Sequence, residues 1–507
     1  MNTVNTQASS LSSRRWVLLV TVAFGLLLIT LDNSILYTAL PTLTVDLGAS
    51  ASQGLWIINA YPLVMAGLLL GSGTLGDRFG HRRLFLVGLT LFGAASLVAA
   101  FSPTPEVLIG ARALLAVGAA CMMPATLALI RLGFDDVRER NIAIAIWGSI
   151  SVVGAALGPI VGGALLERFW WGSVFLINIP VVIAALILTP LVVPAGTRDR
   201  AKKWDAISSL YALLTLTGAV LAIKEAAHTP QNWAIVAGAT VVAAIGGVLF
   251  TRRQLRSNDP LLDFGVFRNR AFSAGIITAA TAMFAIGGIE LVTTQRFQLV
   301  DGFTPLQAGL LVAAVAIGAL PTGILGGAFL HRLGLRIIIS GGFTLATIGM
   351  IITLIGVQTA FPVFVAGLAV TGAGLGATMS VASTAIVGNV PPRKAGMAAS
   401  VEEVSYEFGS LIAVAVLGSL LSLFYTSRIH LPQGAPAEAA DSIATARDLA
   451  SDHPGLLDAA AIAFNSGYTT IMIIIAVVIA AGVITTGWLL RQYGPGSTAS
   501  AYEDNTH

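Results

Sequence analysis

Six ionisable side chains in this sequence stand where such groups are expensive. Asp32, Arg112, Glu290, Glu402, Glu403 and Glu407 each lie inside a mostly apolar run long enough to cross a bilayer. A charge in the hydrocarbon core costs about 3 kcal/mol or more unless paired or hydrated, so each is a functional candidate by default. Asp32 falls roughly 24 Å along a helix that starts at Trp16, at about 1.5 Å per residue. That places it in the outer half of its span, either facing a cavity or snorkelling as an interfacial acid. The run Val401-Glu-Glu-Val-Ser-Tyr-Glu-Phe-Gly409 carries three acids. Glu403 and Glu407 are spaced i, i+4 and share a helix face, while Glu402 and Tyr406 point elsewhere. Acids this close titrate as a group, forming a carboxyl site that a cation or a proton can fill, but not both. The alternative is that some stay protonated and only hydrogen-bond serine or backbone. Glu407, near the midplane, is the first candidate, then Glu403, then Glu402. Glu290 is followed by Gln295 and Arg296. It forms either a structural pair with Arg296 or a second anionic contact for a long dication. Arg112 is alone in its span and must be paired, and backbone carbonyls of neighbouring helices are one possible set of partners.

Aromatic and soft side chains accompany these charges: Trp56, Tyr61, Met65, Trp147 and Tyr406. Ring faces attract quaternary cations, which have no hydrogen to donate, and methionine adapts to varied shapes. Packing and interface anchoring explain such residues equally well one at a time. The six histidines (His81, His228, His331, His430, His453 and His507) do not cluster, and Cys121 is the only cysteine. A disulfide, a cysteine metal cluster and an enzyme's nucleophile–base set are therefore not expected. Gly372-Ala-Gly-Leu-Gly376 lies inside an apolar span with no strand before it, so it is not a dinucleotide loop.

The elements that position these residues are long helices. The 507 residues are 56% hydrophobic and 10% charged, with mean hydropathy +0.85. A bilayer span takes about 20 such residues. Fourteen spans are expected, at 16–38, 54–75, 83–101, 106–130, 141–166, 172–193, 206–226, 233–250, 271–297, 307–330, 335–356, 361–388, 397–425 and 468–490. The run that follows Arg14 and Arg15 is too long for a signal peptide and reads as a retained first span. With both termini in the cytoplasm, 22 of the 28 Lys and Arg residues fall in cytoplasmic segments and five outside, a strong positive-inside asymmetry. The net charge of +3 is topological and gives no reason to expect nucleic acid. A basic link at 194–205 and a longer one at 251–270 bracket spans seven and eight. The expected organisation is therefore a six-helix bundle over 1–194, a linker with an inserted pair over 195–270, a second six-helix bundle over 271–490, and a tail over 491–507. Residues 426–467 form an outer loop expected to be a partly helical hairpin, either gating the outer opening or a tolerated insertion.

The connection Gly73-Thr-Leu-Gly76-Asp77-Arg78-Phe-Gly80-His-Arg82-Arg83 recurs in weaker form at Gly327-Ala-Phe-Leu-His-Arg-Leu-Gly334-Leu-Arg336, which suggests a duplicated bundle. The G-x-L-x-D-R-x-G-x-R-R pattern resembles the signature loop between spans two and three of major facilitator transporters. In span five, Gly154-Ala-Ala-Leu-Gly158-Pro159-Ile-Val-Gly162-Gly163 resembles the antiporter motif, in which the proline kinks the span and the glycines permit close packing. Leu31-Asp32-Asn-Ser-Ile-Leu-Tyr-Thr-Ala-Leu-Pro41 resembles the first-span motif of fourteen-span drug/proton antiporters. Leu108 to Ala120, with Arg112, resembles their span-four motif, although Leu115 and Ala116 replace the usual glutamine and glycine. Trp170-Trp-Gly-Ser-Val-Phe-Leu-Ile-Asn-Ile-Pro180 and 259–267 extend the match over nearly the whole chain.

The likeness is nearest to the quaternary-ammonium and biguanide efflux pumps of the QacA, LfrA and SmvA group. It implies an all-α polytopic membrane protein with the major facilitator fold and fourteen transmembrane helices. The implied activity is proton-coupled export of lipophilic mono- and dications by alternating access. The implied place is the bacterial cytoplasmic membrane, with no cofactor beyond the proton gradient and a monomeric state. A proton-coupled transporter of a different small solute is the alternative. In the resembled family the acid at Asp32 couples protons or binds cations, and the arginine at Arg112 is linked to proton transfer. An aspartate that some members carry in span ten matches Ala319 here, so Glu290 partly replaces it. Gly73, Gly76, Asp77, Arg78, Gly80 and Arg82 are expected to form a cytoplasmic gate, with Asp77 docking near 395–397.

Overall fold

A computed structural model describes residues 2–134, 136–193, 205–227, 231–257, 260–391, 394–450 and 453–495. Among them there are helices and no strands. The first half contains α1 (Asn2–Asp46), α2 (Ala51–Phe79), α3 (His81–Ala100), α4 (Pro105–Gly133), α5 (Val137–Leu166), α6 (Ser173–Leu176) and α7 (Asn178–Val192). Next come α8 (Ala206–Ala227) and α9 (Trp233–Arg256), then a 3₁₀ turn at Phe264–Arg268. The second half contains α10 (Arg270–Leu299), α11 (Pro305–Gln358), α12 (Phe361–Val387), α13 (Ala395–Ile412), a π-helical segment (Ala413–Gly418), α14 (Ser419–Arg428), α15 (Ile443–Leu449) and α16 (Leu456–Leu489).

Twelve helices among the described residues are long and apolar enough to cross a membrane, against the fourteen expected. Two features bear on the difference. Helix α11 has 54 residues, roughly 80 Å at 1.5 Å per residue, and is broken at Gly334 (φ 73°, ψ 165°). Helix α5 is 30 residues long, but many of its side chains lie outside the described set.

The break at Gly334 matches the turn at Gly80 (φ 94°, ψ 127°) between α2 and α3. Both positions need a residue without a Cβ, and they occupy the same place in the two copies of the repeated loop. Further contacts hold each turn. His81 packs where a Cβ on Gly76 would sit, Arg78 lies 5.4 Å from the Phe79 ring centroid, and Arg82 Nη2 donates to the Pro190 carbonyl at 3.1 Å. In the second copy the Arg336 N–H donates to the Tyr493 carbonyl at 2.9 Å. The side chains at Gly73, Thr74 and Asp77 lie outside the described residues, and with them the expected docking of Asp77.

The span expected over 172–193 is present as Ser173–Val192; Pro180, which has no N–H for the Leu176 carbonyl, interrupts its helical bonding at Ile177, between α6 and α7. One other expectation needs correction. The expected loop over 426–467 is shorter, since α14 runs to Arg428 and α16 starts at Leu456. What remains is folded down. Tyr425 Oη donates to the Ala439 carbonyl at 2.9 Å, Ser442 caps α15, and Ile443 and Ala446 are buried in the second core.

There are two large cores. One is built from residues between Leu18 and Val193, the other from residues between Ala271 and Leu490. The glycines of 154–163 seat α5 against both. A Cβ on Gly154 would strike Thr30, one on Gly158 would strike Ser34, and one on Gly162 would stand 3.0 Å from Ile35. On the opposite side, Gly163 abuts Leu306 and Gly309 abuts the Pro159 carbonyl. The sequence Gly-x-x-x-Gly-Pro-x-x-Gly-Gly thus lets one helix lie close to α1 beside Asp32 and to α11 of the other half.

Candidate functional site

Asp32 and Arg112 form an ion pair in which the arginine is fully buried and the aspartate 1% exposed. Arg112 Nη1 donates to one carboxylate oxygen, and Asn178 Nδ2 donates to the other at 2.9 Å. The same amide donates to Ser96 Oγ at 3.2 Å. Arg112 Nε donates to the Ile57 carbonyl at 3.2 Å, and the guanidinium carbon lies 4.6 Å from the Tyr61 ring centroid. Three helices, α1, α4 and α7, therefore meet on one carboxylate, with α2 and α3 holding its two partners. Arg112 takes both roles left open for it, pairing with an acid and binding a helix carbonyl.

Arg112 and Asn178 between them engage both oxygens of this carboxylate, and a buried charge needs partners of this kind. Protonating Asp32 would leave the Arg112 charge without its counter-ion. Arg112 Nη2 is already buried without a partner among the described residues, so a fixed guanidinium aims a further donor into the site.

The acids of the second half are arranged differently. Glu402 Oε1 accepts from Tyr406 Oη at 3.2 Å, so the i, i+4 pair expected to point away from the other acids makes its own bond. Glu407 Oε2 is buried without a hydrogen-bond partner among the described residues. Val404, on the same helix as these acids, packs against the core of the first half. Tyr37 Oη and Ser410 Oγ, 2.9 Å apart, bridge the halves one turn beyond Glu407. The π-helical segment follows immediately, and π-bulges often occur at functional sites.

Glu290 does not pair with Arg296. The arginine instead bonds Asp301 at 3.2 Å and Asn465 at 2.8 Å, and lies over the Phe297 and Tyr468 rings. No side-chain hydrogen bond or ion pair holds the Glu290 carboxylate among the described residues, and its residue is 9% exposed. It remains an unclaimed acid.

The aromatic set is dispersed. Tyr61 and Met65 are buried in the first core, and the Tyr61 hydroxyl is unpartnered. Trp147 packs at the edge of the same core with its indole N–H buried and unpartnered. The Trp56 ring is covered by Lys224 of α8, whose ammonium lies 4.5 Å from the ring centroid and donates to the Ser52 carbonyl at 2.8 Å. Around that contact, Val220 of α8 shares a buried cluster with Leu63 of α2, Leu411 of α13 and Ala415 of the π segment. A cavity of about 460 Å³ opens at the end remote from the termini, between Pro41, Gln53, Gln295, Tyr425 and Asp448, with α15 at its rim.

Residues 22–297 and 271–429 match the profile of the Major Facilitator Superfamily. The chain belongs to the major facilitator superfamily. It is 38% identical over 490 residues to the multidrug efflux pump LfrA of Mycolicibacterium smegmatis, covering 95% of this chain and 97% of that one. It is also 38% identical over 468 residues to the methyl viologen resistance protein SmvA of Salmonella typhimurium, covering 89% of this chain and 93% of that one. A solved bacterial homologue of the human lysosomal transporter Spinster, inward-facing and unoccupied, superposes with TM-score 0.65 at 16% identity over 96% of this chain and 99% of that one. This major facilitator protein is a multi-pass membrane transporter related to the LfrA and SmvA group.

Asn178 was not singled out from sequence. Its only signal was its place in the Trp170–Pro180 motif. Replacing it with leucine is expected to lower transport about tenfold, the loss of one hydrogen bond to a charged group. Asn178→Asp should do more harm by setting a second acid beside Asp32. Initial rates of substrate efflux at matched expression check both.

Proposed function

We propose that this transporter is a proton-driven multidrug efflux antiporter of the bacterial cytoplasmic membrane, exporting lipophilic mono- and dications by alternating access. The observation that carries the reading is the buried Asp32–Arg112–Asn178 cluster in one half, together with a buried Glu407 oxygen in the other half that has no partner among the described residues. A cation and a proton compete for such carboxylates. An acid that must release its arginine to be protonated ties proton uptake to a rearrangement between the halves. The names of the relatives, a multidrug efflux pump and a methyl viologen resistance protein, support the substrate class. In this reading the transporter has fourteen spans, with α11 supplying two and α5 one, and bundles divided near residues 194 and 271. Both termini are cytoplasmic, so the 460 Å³ cavity opens outward.

Everted membrane vesicles test the reading. With an imposed proton gradient, acid inside, they should accumulate ethidium or methyl viologen, and collapsing the gradient should release the load. Vesicles that neither accumulate a lipophilic cation nor acidify their exterior when one is added would overturn it.

A further inference from the structure

Pro41 lies within α1 and has no N–H, so the carbonyl one turn earlier, that of Tyr37, has no donor from its own helix. A buried carbonyl is normally paired. Here the partner comes from the other half: Thr294 Oγ1 of α10 donates to the Tyr37 carbonyl at 2.9 Å. One turn further along α10, Gln298 Nε2 donates to the Thr38 carbonyl at 2.9 Å. Thr294 and Thr38 are fully buried, and Tyr37 and Gln298 are 3% and 6% exposed, so water does not compete for these bonds.

We propose that Thr294 and Gln298 are the outer latch of the transporter, and that Pro41 creates the acceptor they close on. The proposal rests on the alternating-access reading above. The latch is built to release. The Thr294 hydroxyl has a single hydrogen and a second acceptor, the Glu290 carbonyl of its own helix, at 2.6 Å. When the halves part, the donor turns back to Glu290 and is never left unpaired. The Tyr37 carbonyl is then exposed to the widening, hydrated opening beside the outer cavity that Pro41 lines. Thr294 and Gln298 stand four apart on the face of α10 that also carries Glu290. The unclaimed carboxylate thus sits one turn inside the latch.

The test is the distance between the outer ends of the two halves. Val45 and Leu310 are exposed, at 54% and 52%, and accept spin labels as Val45→Cys and Leu310→Cys in a Cys121→Ser chain. Pulsed electron–electron resonance on the full-length transporter should give a short and a long distance, closed and open. Thr294→Val is expected to raise the open-to-closed ratio roughly fivefold, the effect of one ordinary hydrogen bond. Thr294→Ser keeps the hydroxyl and should stay near the parent ratio. A role in methyl packing predicts the reverse order and would overturn the latch. Pro41→Ala returns a donor to α1 and should open the gate by a similar factor, with no further opening when combined with Thr294→Val. Additive effects would overturn the assignment of Pro41. If the parent showed one distance with and without a bound lipophilic cation, alternating access itself would fall, and the latch with it. A parent that switches while Thr294→Val leaves the ratio unchanged sinks only the latch.

Discussion

Asp32→Asn should abolish gradient-driven accumulation of cations and also destabilise the protein. The substitution keeps the shape of the side chain but leaves Arg112, which is fully buried, with no counter-ion. Removing one partner of a buried ion pair typically costs about 3–5 kcal/mol, more than a hundredfold in an equilibrium. Arg112→Met should be as damaging for the mirror-image reason. The informative variant is the double one, Asp32→Leu with Arg112→Met. Two apolar side chains of similar volume remove the charge problem, so thermal stability in detergent should return close to the parent. Transport should not, because no titratable group remains at the α1 site. Recovery of efflux in the double variant would show that the pair is structural and that coupling lies elsewhere.

Glu407→Gln should separate dications from monocations. The two unlike carboxylates, Asp32 on α1 and Glu407 on α13, stand on opposite halves, and Asp32 alone is paired with Arg112. A long dication can engage both, a monocation only one at a time. Losing an interaction with a charged group is worth about 1.5–3 kcal/mol, so efflux of a bis-quaternary compound should fall tenfold to a hundredfold. A mono-quaternary compound should lose only a few-fold. Paired uptake assays under one imposed gradient decide the matter, and equal losses for the two would refute the division of labour.

The charged residues were legible in sequence because lipid makes them conspicuous, and the duplicated loop because its glycines recur in register, Gly80 with Gly334. Partners were much harder to read. Nothing in the chain joins Asp32 to Arg112 and Asn178, which are brought together by three-dimensional packing of α1, α4 and α7. One error was avoidable. Glu290 and Arg296 are six residues apart, and at 3.6 residues per turn they point to well-separated faces, so no ion pair between them was geometrically natural. By the same arithmetic Glu290, Thr294 and Gln298 share a face, and the latch surface was there to be read. The interruption of helical bonding before Pro180 was also legible, because a proline has no N–H to give. The folding down of 429–450 was not, because it depends on Tyr425 and the buried faces of α15.

The contact of Lys224 with Trp56 bears on how a shorter transporter of this kind could be made. Excising 206–256 would remove α8 and α9 and expose Leu63, Leu411 and Ala415. In water such a cut would be ruinous, but lipid tails are as apolar as leucine, and these side chains would simply be solvated by the bilayer. The polar contact has no such substitute. Without the ammonium, the first turn of α2 loses the cation bound to its Ser52 carbonyl, and the Trp56 face is left open to any other lipophilic cation. A chain trimmed in this way should still insert, but with an unguarded aromatic face beside the seam between its halves.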